Sequence, residues 1–198
     1  MTPEEKKTEL DKIAQEIRDF KGLEIAKNCL NAVPGEGDPD AKIMFIGEAP
    51  GAEENLQGRP FVGRSGQLLR QTITESNIKI DKVFITNIVK YRPPENRDPS
   101  LEEIEACKDW LDLQIQIIEP ATIVTLGRFS MAKFLPDAKI SIVHGKGQEI
   151  VFQDKIYFLV TMYHPAYAIR GTNNMTEFKK DFANLRSMAI NALKLRQC

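Results

Sequence analysis

Cysteine is scarce: the 198-residue chain holds three, Cys29, Cys107 and Cys198, and no C-x-x-C pair. That excludes a disulfide framework and denies a single chain a four-thiolate metal site. Long apolar runs are missing too. None approaches the ~20 residues of a membrane helix, so no membrane partner is expected. The opening "MTPEEKKTEL" is acidic and polar where a secretory leader is basic and then apolar, and the expected location is the cytoplasm. Absent as well are the phosphate-cradling patterns G-x-x-x-x-G-K-[ST] and G-x-G-x-x-G, internal repeats and low-complexity segments. A large net charge of either sign is lacking, the balance being −1. It is unevenly spread: residues 1–120 hold 16 Lys+Arg against 23 Asp+Glu (−7), and residues 121–198 hold 11 against 5 (+6). The basic C-terminal portion is available to face phosphate, although a merely solvated surface has the same composition.

What is present suits one soluble domain. Hydrophobic residues make up 42% and charged residues 28%, and the length fits a single core. A monomeric, single domain over residues 1–198 is expected, with an N-terminal helix, 1–20, packed on it. Thr2, Pro3 and Glu5 form a capping-box start, and Leu10, Ile13, Ile17 and Phe20 follow at helical spacing. "KIMFIG", "KVFITNIV", "ATIVTLG" and "IYFLVTMYHP" read as strands. "SGQLLRQTITESN", "SLEEIEACKDWLDLQIQII", "RFSMAKFL" and "NNMTEFKKDFANLRSMAINALKLR" read as helices. Strands alternating with helices predict an α/β fold, a mostly parallel sheet covered on both faces.

Such a sheet binds ligands beyond the carboxyl ends of its strands. The unusual residues fall there. "GEAPGAEENLQGRPFVGRSG", residues 47–66, follows the first strand with five glycines, two prolines and three carboxylates. Glu48 and Glu54 suit a water or a developing cation, or simple loop solvation and helix capping. Phe61 offers a face to a flat ligand, although composition alone favours a core plug. Asn87, ending "ITN", offers a donor and an acceptor for an amide-like edge, or satisfies its own turn. His164, in "YHP", is placed to aid a leaving group or to serve structure. The carboxylates argue against phosphate in this loop.

"GEAPGAEENLQGRPFVGRSGQLL", then "ITNIVKYRPPENRDPSLEEIEAC", then "YHPAYAIR" resembles, in order, the family 4 uracil-DNA glycosylases over some four-fifths of the chain. The resemblance implies a three-layer α/β/α sandwich with a central, mostly parallel four-stranded sheet. It implies hydrolysis of the N-glycosidic bond of a flipped-out uracil in single- or double-stranded DNA, in base-excision repair. It assigns Glu48 to water and sugar charge, with Glu54 as the second carboxylate of the loop and His164 at the leaving group. Phe61, Asn87 and Ala49 fall to the base, and Ser65, Tyr167, Ile169 and Arg170 to DNA.

The chain departs from the family in two places. The family carries a [4Fe-4S] cluster on four cysteines, whereas the matching positions here are Phe20, Leu23, Tyr91 and Cys107. No cluster or other cofactor is expected, since three of the four cannot ligate iron; these side chains are expected to form a small apolar core instead. Ala168 replaces the leucine that wedges into the vacated stack, leaving Tyr167 or Ile169 for that role, or a preference for single strands. A glycosylase for hypoxanthine or xanthine, and a non-catalytic DNA-binding relative, are the competing readings.

Overall fold

Alternation of apolar side chains decides how this chain layers. A computed structural model describes residues 1–195, Leu195 by its backbone alone; Cys198 lies outside the described residues. Its strands are β1 (Glu36–Gly37), β2 (Ile43–Gly47), β3 (Val83–Asn87), β4 (Thr122–Leu126), β5 (Lys146–Phe152) and β6 (Lys155–Met162). They form one sheet in the order β1-β3-β2-β4-β6-β5. The four inner strands are parallel, and β1 and β5 are added antiparallel at the two edges.

Along each inner strand successive side chains enter opposite cores. Met44, Ile46, Phe84, Ile123 and Leu159 join one core, and Phe45, Ile85, Val124 and Val160 the other. The first core is covered by α1 (Pro3–Asp19), α2 (Glu24–Asn28), α5 (Leu101–Ile118) and α6 (Arg128–Ala132). The second is covered by α4 (Arg64–Glu75), α9 (Thr172–Ala183) and α10 (Leu185–Leu195). Three short helices, α3 (Ala52–Gln57), α7 (Ile140–Val143) and α8 (Pro165–Ala168), complete the chain. This is the expected three-layer α/β/α sandwich.

The local signals act as their chemistry dictates. Thr2 and Glu5 cap α1 reciprocally, and Ser100 and Glu103 cap α5 in the same way. Lys6 ties α1 down, donating to the Ile118 carbonyl at 3.0 Å and to Asp40 at 2.8 Å. Three details differ from the sequence reading. The sheet has six strands where four were expected, because the two-residue β1 and the largely exposed β5 carry no clear apolar pattern. The C-terminal helix is broken at Asn184 into α9 and α10, although Phe178, Phe182, Leu185, Ala189 and Ala192 are all buried as expected. The second strand stops at Asn87, because Ile88 and Val89 leave the ladder to donate to the Gly47 and Glu48 carbonyls at 3.0 Å each.

Phe20, Leu23, Tyr91 and Cys107 meet in the core beneath α1. Phe20 stacks on Tyr91 at 6.1 Å and meets Trp110 edge-on at 5.1 Å. Tyr91 is fully buried, and its hydroxyl donates to the Ile17 carbonyl at 2.7 Å. An aromatic core with one satisfied polar tip occupies this position.

Candidate active site

The carboxyl ends of β2, β3, β4 and β6 open into one cavity of about 790 Å³. Glu48, Ala49, Glu54, Phe61, Ser65, Asn87, His164, Tyr167 and Arg170 all line it. Of the catalytic, base-binding and DNA-binding candidates assigned from sequence, Ile169 alone does not. The structure adds Asn96, Asp98, Arg128 and Tyr163 to the lining.

The loop after β2 is built around a carboxylate. Glu54 is 8% exposed, and three backbone amides converge on it: Gly51 at 3.2 Å, and Val62 and Gly63 at 2.8 Å each. Charge-assisted bonds of this kind are about twice as strong as neutral ones. They hold Phe61 in the left-handed region, φ 53°, which costs a non-glycine residue about 1 kcal/mol or more. Arg70 completes the clamp, donating to the Phe61 carbonyl at 2.8 Å and the Pro60 carbonyl at 2.7 Å while paired to Glu36 at 2.6 Å. Gly66 makes room, since a Cβ there would lie 2.1 Å from the Phe61 carbonyl carbon.

So held, the Phe61 ring lies against Gly47, where a Cβ would come within 2.5 Å of the ring and 2.4 Å of the Asn87 Oδ1. The two side chains thus meet over a strand end that only glycine permits. Asn87 is 2% exposed, yet its Oδ1 has no hydrogen-bond partner among the described residues. A buried acceptor left unpaired costs about 1–3 kcal/mol, which a ligand that donates to it recovers. Beneath it the backbone is fixed by Lys90, which is fully buried and donates to the Asn87 carbonyl (2.9 Å), Thr86 Oγ1 (2.7 Å) and Gln114 Oε1 (2.8 Å). Three acceptors match the three hydrogens of an ammonium, while burial pulls its pKa down to about 7.

His164 caps α8: its Nδ1 accepts from the Ala166 amide at 3.2 Å. An N–H donates only to a lone pair, so the proton of the neutral ring sits on Nε2. Burial lowers the pKa to about 4, with the nearby Arg170 adding to the effect against Glu54. The ring is therefore neutral at pH 7. It lies 5.8 Å from Phe61, centroid to centroid, and above Gly127, whose φ of 95° and missing Cβ let the strand end pass beneath. Glu48 differs from Glu54: among the described residues no hydrogen bond holds its carboxylate. Burial, then repulsion from Asp98, raises its pKa, with Arg128 opposing. Asp98 and Arg128 are themselves ion-paired.

Signals for the added lining residues were present but unspecific. Asn96 and Asp98 lie in "YRPPENRDP" and Arg128 follows the third strand, each beyond a carboxyl end.

The family model described as Uracil DNA glycosylase superfamily matches residues 34–186, the span that carries this rim. The chain belongs to that superfamily. Relatives named type-4 uracil-DNA glycosylase are similar over nearly the whole chain. The one from Sulfurisphaera tokodaii is 45% identical over 187 residues, covering 91% of this chain and 85% of its own length. The one from Archaeoglobus fulgidus is 40% identical, covering 89% and 91%. A type-5 uracil-DNA glycosylase from Thermus thermophilus is similar over less, 35% identical across 52% of this chain and 53% of its own. The superfamily's sheet thus carries here a clamped aromatic, an amide whose oxygen is unpaired among the described residues, and a neutral imidazole on one rim.

Glu54→Gln replaces a three-fold acceptor by a group with one acceptor oxygen and an amide facing N–H donors. It is expected to lower the unfolding free energy by about 1–3 kcal/mol in urea titrations, whereas Glu53→Gln, exposed on the same helix, is expected to have no effect.

Proposed function

We propose that the chain is a DNA glycosylase that hydrolyses the N-glycosidic bond of uracil in DNA, and that Asn87 reads the base. The observation that carries the reading is the buried, unpartnered Oδ1 of Asn87 beside the ring of Phe61. Uracil presents an N3–H donor next to the O4 acceptor, which complements an amide; cytosine presents an acceptor and a donor in those places. A site whose buried polar groups would stay unpaired against the wrong base discriminates strongly. A base inside a duplex cannot reach this cavity, so the nucleotide is extruded or comes from a single strand. Phe61 then stacks on its face.

In the reaction the C1′–N1 bond breaks and its electron pair leaves with uracil, while a water oxygen bonds to C1′. Charge develops at two places. The Nε2–H of neutral His164 donates to the departing uracil anion, and a neutral donor loses no proton of its own in doing so. Glu48, free of protein hydrogen bonds among the described residues, orients the water, takes up its proton and offsets the oxocarbenium-like sugar. Glu54, occupied by backbone amides, supports the loop rather than the reacting atoms. Ala49 is assigned to the base and Ser65, Tyr167 and Arg170 to the DNA strand, a reading supported by their position in the cavity lining; Ile169 is assigned to DNA as well, from outside that lining. The protein acts as a monomer in base-excision repair.

The same reading holds that the protein works without an iron-sulfur cluster. Thiolates are needed as ligands, and of Phe20, Leu23, Tyr91 and Cys107 only the last has one. The tyrosine ring and its bond to Ile17 are a second obstacle to such a group.

The test is excision from oligonucleotides bearing uracil, hypoxanthine or xanthine, with alkaline cleavage of the abasic product. Release of uracil is expected. DNA binding without release from any of them contradicts the reading, and release of hypoxanthine or xanthine instead of uracil redirects it. Ionised Glu48 is the working form, so the rate is expected to fall as pH drops through its raised pKa. Glu48→Gln is expected to be roughly 10²–10⁴-fold slower and to lose that acid limb. Purified protein is expected to contain no iron; stoichiometric iron with brown colour would refute the cluster-free reading.

A further inference from the structure

A closed ring of contacts behind the cavity rim takes no part in the chemistry above. The ring of Tyr163, the residue before His164, packs between His144 and Tyr167, with centroids 4.3 Å and 4.1 Å away. The Tyr167 hydroxyl donates to Glu177 Oε2 at 2.9 Å, and Oε1 of that carboxylate lies 3.6 Å from His144 Nε2. Nδ1 of His144 lies 2.7 Å from Oδ2 of Asp181. Three aromatic rings and two carboxylates thereby connect α9 and α8 with the end of β6 and the turn between α7 and β5. That turn is shaped to allow it. Gly145 is left-handed, φ 68°, and a Cβ there would lie 2.3 Å from Asp181 Oδ1.

Tyr163 and Tyr167 flank His164, and both line the cavity mouth. Among the described residues they are the aromatic side chains that this segment brings to the cavity: Ala168 is 1% exposed inside the core, and Ile169 is not among the lining residues. Tyr167 is stacked and hydroxyl-bonded before any ligand arrives. Most of its rotamer entropy is already spent, and a pre-ordered aromatic binds at lower cost than a free one.

We propose that His144, Tyr163, Glu177 and Asp181 are positioning residues that hold Tyr167 as a fixed aromatic face against the base stack bordering the extruded nucleotide in duplex DNA. This rests on the glycosylase reading. In a duplex the bases around the extruded nucleotide tend to restack, and a rigid ring at the mouth opposes that closure. A single strand presents no opposing strand to hold apart, so the brace acts on duplex substrates selectively.

The experiment measures single-turnover uracil release by the full chain from one oligonucleotide, alone and annealed. His144→Leu removes both contacts to the carboxylates of Glu177 and Asp181 and is expected to lower the duplex-to-single-strand rate ratio roughly tenfold. Tyr167→Phe keeps the stack but loses the bond to Glu177, and is expected to lower the ratio roughly threefold. If His144→Leu shows no cooperative thermal transition, Tyr167→Phe decides alone. An unchanged ratio, or equal loss on both substrates, overturns the brace while the glycosylase reading stands. A wild-type chain that releases uracil from neither substrate overturns both.

Discussion

The convergence of three backbone amides on the Glu54 carboxylate is the constraint on which the site depends. A glycine-rich loop has many conformations in the unfolded chain, and a buried carboxylate with well-aligned donors selects one of them. Its consequences run outward. Phe61 is held at a positive φ, its ring closes over Gly47, and the space left beside it is bounded by Asn87. Strain in the loop is set against hydrogen bonds elsewhere, as at many sites where geometry matters more than local comfort.

The second organising feature is the separation of electrostatic roles around one cavity. Glu54 and Glu48 lie six residues apart, yet one is saturated by amides and the other is not. His164 is kept neutral by burial, and its tautomer is fixed by a single backbone amide, Ala166. Lys90 places a buried amino group beneath the strand end, its hydrogens taken up by Thr86, Gln114 and the Asn87 carbonyl. The Oδ1 of Asn87 stays unpaired, among the described residues, on top of an otherwise satisfied network. Buried polar groups are normally matched, so an exception inside a cavity is informative.

Much of this was legible in the sequence because the signals are local. The capping box of Thr2 and Glu5, the apolar strands and the alternation of elements each depend on neighbours a few residues away. The rim residues could be grouped from sequence because each follows a strand end. What escaped depends on distant contacts or weak signals. The β5–β6 hairpin turns at Gln153 and Asp154, both at positive φ without glycine, and β5 is largely exposed, so neither turn nor strand announces itself. The break at Asn184 interrupts an otherwise continuous apolar stripe. The division of labour between Glu48 and Glu54 required the folded loop, because both carboxylates suit the same roles as residue types. The stack of His144, Tyr163 and Tyr167 takes its third ring from the turn after α7, and the packing of α7 against β6 brings His144 to the two tyrosines.

The central claim is that Asn87 recognises the base through a side-chain amide whose oxygen has no partner among the described residues. The side-chain amide signals of Asn87 in ¹⁵N-labelled protein, followed by NMR on addition of free uracil and then of free cytosine, test it most directly. The account predicts a saturable shift with uracil and none with cytosine. No shift with uracil, or the same shift with both, would contradict it.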